Sequence, residues 1–499
     1  MTPAQRLVLV ASILGSFVAF LDVSVVNVAL PAIRNDLGGG ISAQQWIVDA
    51  YLVTLGSFIL LAGSLSDLFG RKRVFAAGLV GFGVTSLLAA IAPGATVLIV
   101  ARGLQGLTGA LLVPSSLAMI IANFQGPDQG KAIGTWTAWT GISFILGPLL
   151  GGALVDLGSW RWVFAINVLP IAATLAVLAR IPPEPAPAER GHVDLPGAAL
   201  CALGLGGIIF GLIEAPTHSW GAPEIYLPLV GGACAFAGFL VYEHFARHPM
   251  LDYALFRTRN FAVGNAATGA IYAGLSASGF VLTVFLQQVA GYSATAAGLA
   301  LMPLTVIMFL LSPLAGRLAG KHGPRWFMTI GPLLAAAGFL LMLRMSAHTA
   351  YVTEMLPGML VFGLGLACTV SPLTAAILGG VDQRHAGMAS AINNAVARVA
   401  GLLAVAAVGA IIAARFSTAL GDAPDRRLGG AARAFVTEAR ARPLDTSVPK
   451  DLADRAAVKA MLDDASVGAL HAALWSMAGT LVLGGLISAA GIRNPKPQS

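Results

Sequence analysis

Ala19-Phe20-Leu21-Asp22-Val23-Ser24-Val25-Val26-Asn27-Val28-Ala29-Leu30-Pro31 closes an apolar run that starts at Leu7, and one acid interrupts it. At ~1.5 Å rise per residue a helix over 7–30 covers ~36 Å, enough to cross a hydrocarbon core of ~30 Å. A carboxylate inside that core costs at least ~2.5 kcal/mol on insertion scales, so it has to face protein or a water-filled path. Two readings of Asp22 are open here: a proton or substrate site, or a structural ion pair between helices.

Composition sets the class. Hydrophobic residues make up 57% of the 499, charged residues only 11%, and the mean hydropathy is +0.80. A soluble domain carries about 25% charged residues, so this chain needs lipid as its solvent. The 59 glycines fit helices packed closely in a membrane. The net charge of +7 therefore speaks to orientation and gives no reason to expect nucleic acid. Cys201, Cys234 and Cys368 lie in apolar runs without CxxC spacing and read as inert core thiols, with no metal or cofactor implied.

Runs long enough to span fall at 7–30, 46–66, 74–93, 97–122, 131–155, 162–180, 194–213, 224–243, 261–288, 295–316, 326–344, 355–378, 387–414 and 467–490. The chain is thus expected to be an all-α polytopic membrane protein with fourteen transmembrane helices. Two connections are long: a proline-rich linker at 181–193, and a polar stretch at 416–466 whose end, Lys450 to Leu462, reads as an amphipathic helix. With a cytoplasmic N-terminus, the lysines and arginines of the termini and short loops divide sixteen inside to three outside. The positive-inside rule then puts both termini in the cytoplasm and 416–466 outside.

The second and fourth helices repeat features between the halves. Gly63 through Arg73 and Gly316 through Arg325 are both basic, glycine-bearing loops, and Pro114 and Pro372 sit at matching places. The expected organisation is a six-helix bundle at 1–180, the linker 181–193, two inserted helices at 194–244, and a second six-helix bundle at 260–492. Two such halves in parallel orientation are a transporter plan with the substrate path near the midplane.

Within the first half, Asp22 lies ~12 Å from the outer end of its helix and Arg102 ~8 Å down from the same face. The acid is expected to meet Arg102 directly or through Gln105, either as a switchable pair or as a static bridge. Asp67 sits beside Gly70, Arg71, Lys72 and Arg73 and reads as a cytoplasmic gate. Gly147-Pro148-Leu149-Leu150-Gly151-Gly152 is expected to interrupt its helix and act as a pivot. Asn27, Asn265, Gln287, Gln288, Asn393, Asn394 and Arg398 are candidate cavity residues; neutral amides in membranes are also often helix glue. Gly126-Pro127-Asp128-Gln129-Gly130-Lys131 has the wrong spacing for a Walker loop. The eight histidines fall in loops or near helix ends, which argues against an electron-transfer subunit.

These motifs resemble the fourteen-helix drug:proton antiporter family of the major facilitator superfamily. The resemblance is carried by Leu21 through Pro31, Gly63 through Arg73, Arg102-Gly103-Leu104-Gln105-Gly106, Gly147 through Gly152, Trp160 through Asn167 and Leu255 through Phe261. It implies proton coupling at Asp22 and Arg102, an inner gate of Asp67 and Arg71 against 386–390, and export associated with the glycine–proline motif. It is dense over the first half and looser over the second, where Gly320 stands in place of the usual acid. The implied protein is a non-enzymatic, proton-coupled multidrug exporter in a bacterial cytoplasmic membrane. A monomer handling small lipophilic substrates is expected, without cofactors; an uptake symporter, or a membrane electron-transfer or channel subunit, is the alternative.

Overall fold

The computed structural model describes residues 1–124, 126–182, 194–215, 218, 221–246, 249, 253–378, 386–421, 428–452 and 454–494. Among these residues the regular structure is helical. In chain order the helices are α1 (Pro3–Leu37), α2 (Gly40–Phe69), α3 (Arg71–Ala90), α4 (Ala95–Ala110), α5 (Leu112–Asn123), α6 (Gly126–Leu157), α7 (Trp162–Ala165), α8 (Val168–Ala179) and α9 (Leu195–Glu214). They continue with α10 (Pro223–Phe245), α11 (Arg259–Gln288), α12 (Ala294–His322), α13 (Arg325–Leu341), α14 (Leu356–Leu378), α15 (Ala386–Gly421), α16 (Gly430–Ala439) and α17 (Arg455–Gly491).

Local chemistry sets several of these ends. Thr2 caps α1 in a reciprocal capping box with Gln5, and Pro3 occupies the first turn, where its missing N–H costs nothing. Two expected spans are each broken once. A proline ring excludes the carbonyl four residues earlier. Pro114 therefore acts on Ala110, where α4 ends, and Pro170 acts on Ile166, between α7 and α8. Pro148 does not have this effect: α6 runs unbroken from Gly126 to Leu157, which corrects the expected interruption. The Walker-like stretch is simply its opening turns.

Twelve helical segments among the described residues are long and apolar enough to cross a membrane. Helices α2 and α6, at 30 and 32 residues, each contain positions outside the described residues and are not counted in the twelve. The last span begins earlier than expected: α17 starts at Arg455 and absorbs most of the amphipathic stretch, so His471 lies inside a helix and not near an end. The polar 416–466 stretch also contains α16, which its sequence did not announce. Cys234 is exposed on α10, unlike the core thiol expected, whereas Cys201 is buried.

The chain forms two compact units. One comprises 1–38, 46–207 and 230–251; the other comprises 39–45, 208–229 and 252–499. In the first, α1 packs along α6, and α3 along α4. In the second, α13 and α12 flank α14, and α11, α15 and α17 pack on one another.

Candidate functional site: a buried ion pair in the first unit

Asp22 of α1 and Arg102 of α4 meet inside the first unit, with side-chain exposures of 0% and 2%. Arg102 Nη1 donates to Asp22 Oδ2 at 2.5 Å and to Gln105 Oε1 at 2.7 Å. Gln105 Nε2 in turn donates to Asp22 Oδ1 at 2.9 Å. The acid is therefore held both directly and through Gln105. Arg102 Nε donates to the Ile47 carbonyl of α2 at 3.0 Å, and its guanidinium lies 4.2 Å from the Tyr51 ring centroid. A desolvated cation on an aromatic face gains of order 2 kcal/mol.

Two further residues complete the cage. Asn167 Nδ2 donates to Asp22 Oδ1 at 2.9 Å and to Ser86 Oγ at 3.3 Å, and Ser86 also accepts from Gln105 Nε2 at 2.9 Å. Asn167 stands at the break between α7 and α8, so the disruption caused by Pro170 is what presents this amide to the carboxylate. Ser86 and Asn167 are fully buried and were not expected as site residues. For Asn167 the available signal was the family-typical stretch Trp160 through Asn167, which ends on this amide three residues before Pro170.

Small residues permit the close approach. A Cβ on Gly106 would collide with the Tyr51 carbonyl and the Thr54 hydroxyl. Thr54 Oγ1 also donates to the Gly103 carbonyl at 2.7 Å, which ties α2 to α4. On the other side of α1, a Cβ on Gly147 would strike Ser24, and one on Gly151 would press on the backbone of Val25. Gly147 and Gly151, with buried Gly152 beside them, thus set the α1–α6 distance, while half-buried Pro148 leaves the helix intact.

Chemically, the cage satisfies an ionised Asp22 with three donors. Its protonation would remove the charge opposite Arg102, and breaking a buried pair on one side costs ~3–5 kcal/mol.

The remaining candidate residues are not gathered here. The side chain of Asp67 lies outside the described residues, as do 183–193 and the side chains of 386–388. Gly70 has φ +92°, a conformation that favours glycine, at the turn between α2 and α3. Arg71 is half-buried and Arg73 exposed, while Lys72 Nζ donates to the Ile181 carbonyl at 2.5 Å. In the second unit, Asn393 Nδ2 donates to Asn265 Oδ1 at 3.2 Å and to Thr268 Oγ1 at 2.8 Å, so these amides join α15 to α11. Asn394 is exposed, and Arg398 lies in electrostatic reach of Tyr272. Gln287 and Gln288 end α11, where the Gln288 carbonyl accepts from Thr446 Oγ1. Asn27 is half-buried on α1, and its Oδ1 has no partner among the described residues. Among the described residues no histidine, cysteine or acid group is placed to hold a metal.

A polytopic helical protein with an internal acid locked to an internal arginine has the build of a membrane transporter. The chain belongs to the Major Facilitator Superfamily, whose profile matches residues 12–423, and it is a small-molecule transporter, not an enzyme. It is similar to the multidrug resistance protein Stp of Mycobacterium tuberculosis, with 35% identity over 84% of this chain and 78% of that one. It is also similar to the puromycin resistance protein pur8 of Streptomyces alboniger (34%, covering 83% of each). The tetracenomycin C resistance and export protein of Streptomyces glaucescens matches at 32%, over 84% of this chain and 79% of that one. The fold is shared with a bacterial homologue of the human lysosomal transporter Spinster at a TM-score of 0.66 and 14% identity, covering 99% and 100% of the two chains.

Proposed function

We propose that the protein exports small lipophilic compounds in exchange for protons. The observation that carries this is the Asp22–Arg102 pair, fully buried and held by Gln105, Asn167 and Ser86. Arrival of a proton at Asp22 neutralises the carboxylate and frees Arg102; its departure restores the pair. Asp67, Gly70, Arg71 and Arg73 are assigned to the inner gate, and the Gly147 to Gly152 segment to a tight contact about which α1 and α6 move. The relatives named for resistance and export support outward transport.

Counting α2 and α6 as spans gives fourteen. These divide into six helices up to residue 180, the inserted α9 and α10, and six from residue 260 onwards, with both termini cytoplasmic in a bacterial cell membrane. The protein works as a monomer. A susceptibility panel in a pump-deficient bacterium tests the reading. Expression of the chain is expected to raise the inhibitory concentration of several lipophilic antibiotics, with that protection lost when the proton gradient is collapsed. Protection against none of them, or protection untouched by an uncoupler, contradicts it.

A further inference from the structure

The cage around Asp22 is complete for one charge state. Arg102 Nη1 faces Oδ2, while Gln105 Nε2 and Asn167 Nδ2 both face Oδ1, so each of these three side chains presents an N–H donor. An ionised carboxylate only accepts, whereas a protonated one carries an O–H that needs an acceptor. In the observed arrangement that hydrogen would point at another donor. Among the described contacts, Arg102 is charged and touches the acid, Tyr51 is titratable and stacks on Arg102, and Ser86 and the two amides are neutral. Helices α5 and α6 meet α1 at Ser16 and Ser24 through Ser116, Trp136 and Gly147, none of them titratable. Oδ2, held against the guanidinium, is the poorer place for a proton, which leaves Oδ1.

The two amides beside Oδ1 differ in what a half-turn costs them. Gln105 Oε1 accepts from Arg102 Nη1 at 2.7 Å, so turning Gln105 would set its NH2 against a buried cation. Asn167 is fully buried, and its Oδ1 has no hydrogen-bond partner among the described residues, so turning it breaks nothing on that side. The terminal torsion of asparagine is broad and two-fold, and a half-turn exchanges Oδ1 with Nδ2 while other atoms hardly move. In the observed orientation Nδ2 donates to Asp22 Oδ1 at 2.9 Å and to Ser86 Oγ at 3.3 Å. After the half-turn the amide oxygen stands there instead. It accepts the Asp22 O–H and also accepts from the Ser86 hydroxyl, whose hydrogen rotates to suit, while Nδ2 takes the side that Oδ1 vacates. Two hydrogen bonds are exchanged for two.

We infer that Asn167 follows the proton: its amide donates to ionised Asp22 and, after a half-turn, accepts from Asp22 protonated on Oδ1. Asn167 is thus a positioning residue that holds the acid in both charge states, while Gln105 stays locked to Arg102. The inference rests on the proton-coupling reading above and adds to it the atom that takes the proton and the group that responds.

The test is infrared difference spectroscopy between low and high pH on the purified full chain in lipid nanodiscs, with asparagine isotope-labelled at its side-chain carbonyl. Asp22→Asn identifies the protonated Asp22 carboxyl band by removing it. The unsubstituted protein is expected to show, together with that band, a labelled-amide change that Asp22→Asn lacks. Asn167→Leu, close in size but with neither donor nor acceptor, is expected to lose the amide change. Its Asp22 carboxyl band is expected at higher wavenumber, because the O–H has lost its acceptor. The amide change is read on the unsubstituted protein, so it decides the matter even where Asn167→Leu does not fold. An Asp22 band without a labelled-amide change, or a band unmoved in Asn167→Leu, overturns the inference and leaves proton coupling standing. No Asp22 band at any pH at which the chain stays folded overturns both.

Discussion

Asn167 Nδ2 reaches Asp22 Oδ1 at 2.9 Å from the one break in the sixth span, joining a helix discontinuity to the charge at the centre of the first unit. The hydrogen bond goes to a charged acceptor, and such bonds are worth ~1.5–3 kcal/mol. Asn167→Ala is expected to lower the unfolding midpoint of detergent-purified protein and to reduce drug-dependent proton flux several-fold at equal protein. Asn167→Asp, placing a second acid against Asp22, is expected to be worse than the alanine variant. Equal flux in all three proteins would remove Asn167 from the site.

The glycines of α4 are not equivalent. A Cβ on Gly106 collides with backbone at Tyr51, whereas one on Gly103 meets only the Ala50 carbonyl and the Thr54 methyl at 4.0 Å. Gly106→Ala is expected to destabilise by ~1–3 kcal/mol through overpacking, and Gly103→Ala to be near neutral. Thermal unfolding in detergent ranks the two directly.

The α1–α6 contact makes a compensated prediction. Gly147→Ala forces its new methyl into Ser24, so transport and stability both fall; adding Ser24→Gly removes the colliding atoms. The double variant is expected to recover to within the ~1 kcal/mol that a helix-interior glycine costs. A double variant as impaired as the single one would place the effect elsewhere than in this contact.

Two ion pairs described in the first unit should behave oppositely. Arg161 Nη1 meets Asp36 Oδ2 at 2.6 Å with side chains 39% and 47% exposed, whereas Asp22 and Arg102 are sealed. Exposed pairs are screened and contribute little. Asp36→Asn is expected to leave the unfolding midpoint unchanged, even though Trp160 Nε1 also donates to this acid at 2.9 Å. Arg102→Leu, which strands a buried carboxylate, is expected to cost ~3–5 kcal/mol. Unfolding curves at low and high salt check both.

Much of this was legible in the residues. Charge inside an apolar run is so costly that Asp22 and Arg102 had to find each other, and counting helix rise put them at comparable depth. The rest depended on tertiary detail. The break that presents Asn167 follows from Pro170, but which group it would meet is fixed only by how α7 and α8 pack against α1 and α3. Ser86 reads as an ordinary helix serine until Gln105 and Asn167 converge on it. Asp49 escaped notice because it lies near the start of its apolar run, where an acid passes for interfacial; its burial without a hydrogen-bond partner among the described residues sets it apart. Asn265 and Asn393 show the converse, polar residues in a membrane helix that serve to hold α11 and α15 together.

Proton exchange at Asp22 is tested most directly in inside-out vesicles carrying a pH-sensitive dye, comparing the unsubstituted protein with Asp22→Asn at matched membrane levels. Addition of a transported compound is expected to draw protons out of acidified vesicles with the unsubstituted protein and to move none with Asp22→Asn. Substrate-driven proton movement that persists in Asp22→Asn would contradict the assignment of coupling to this pair.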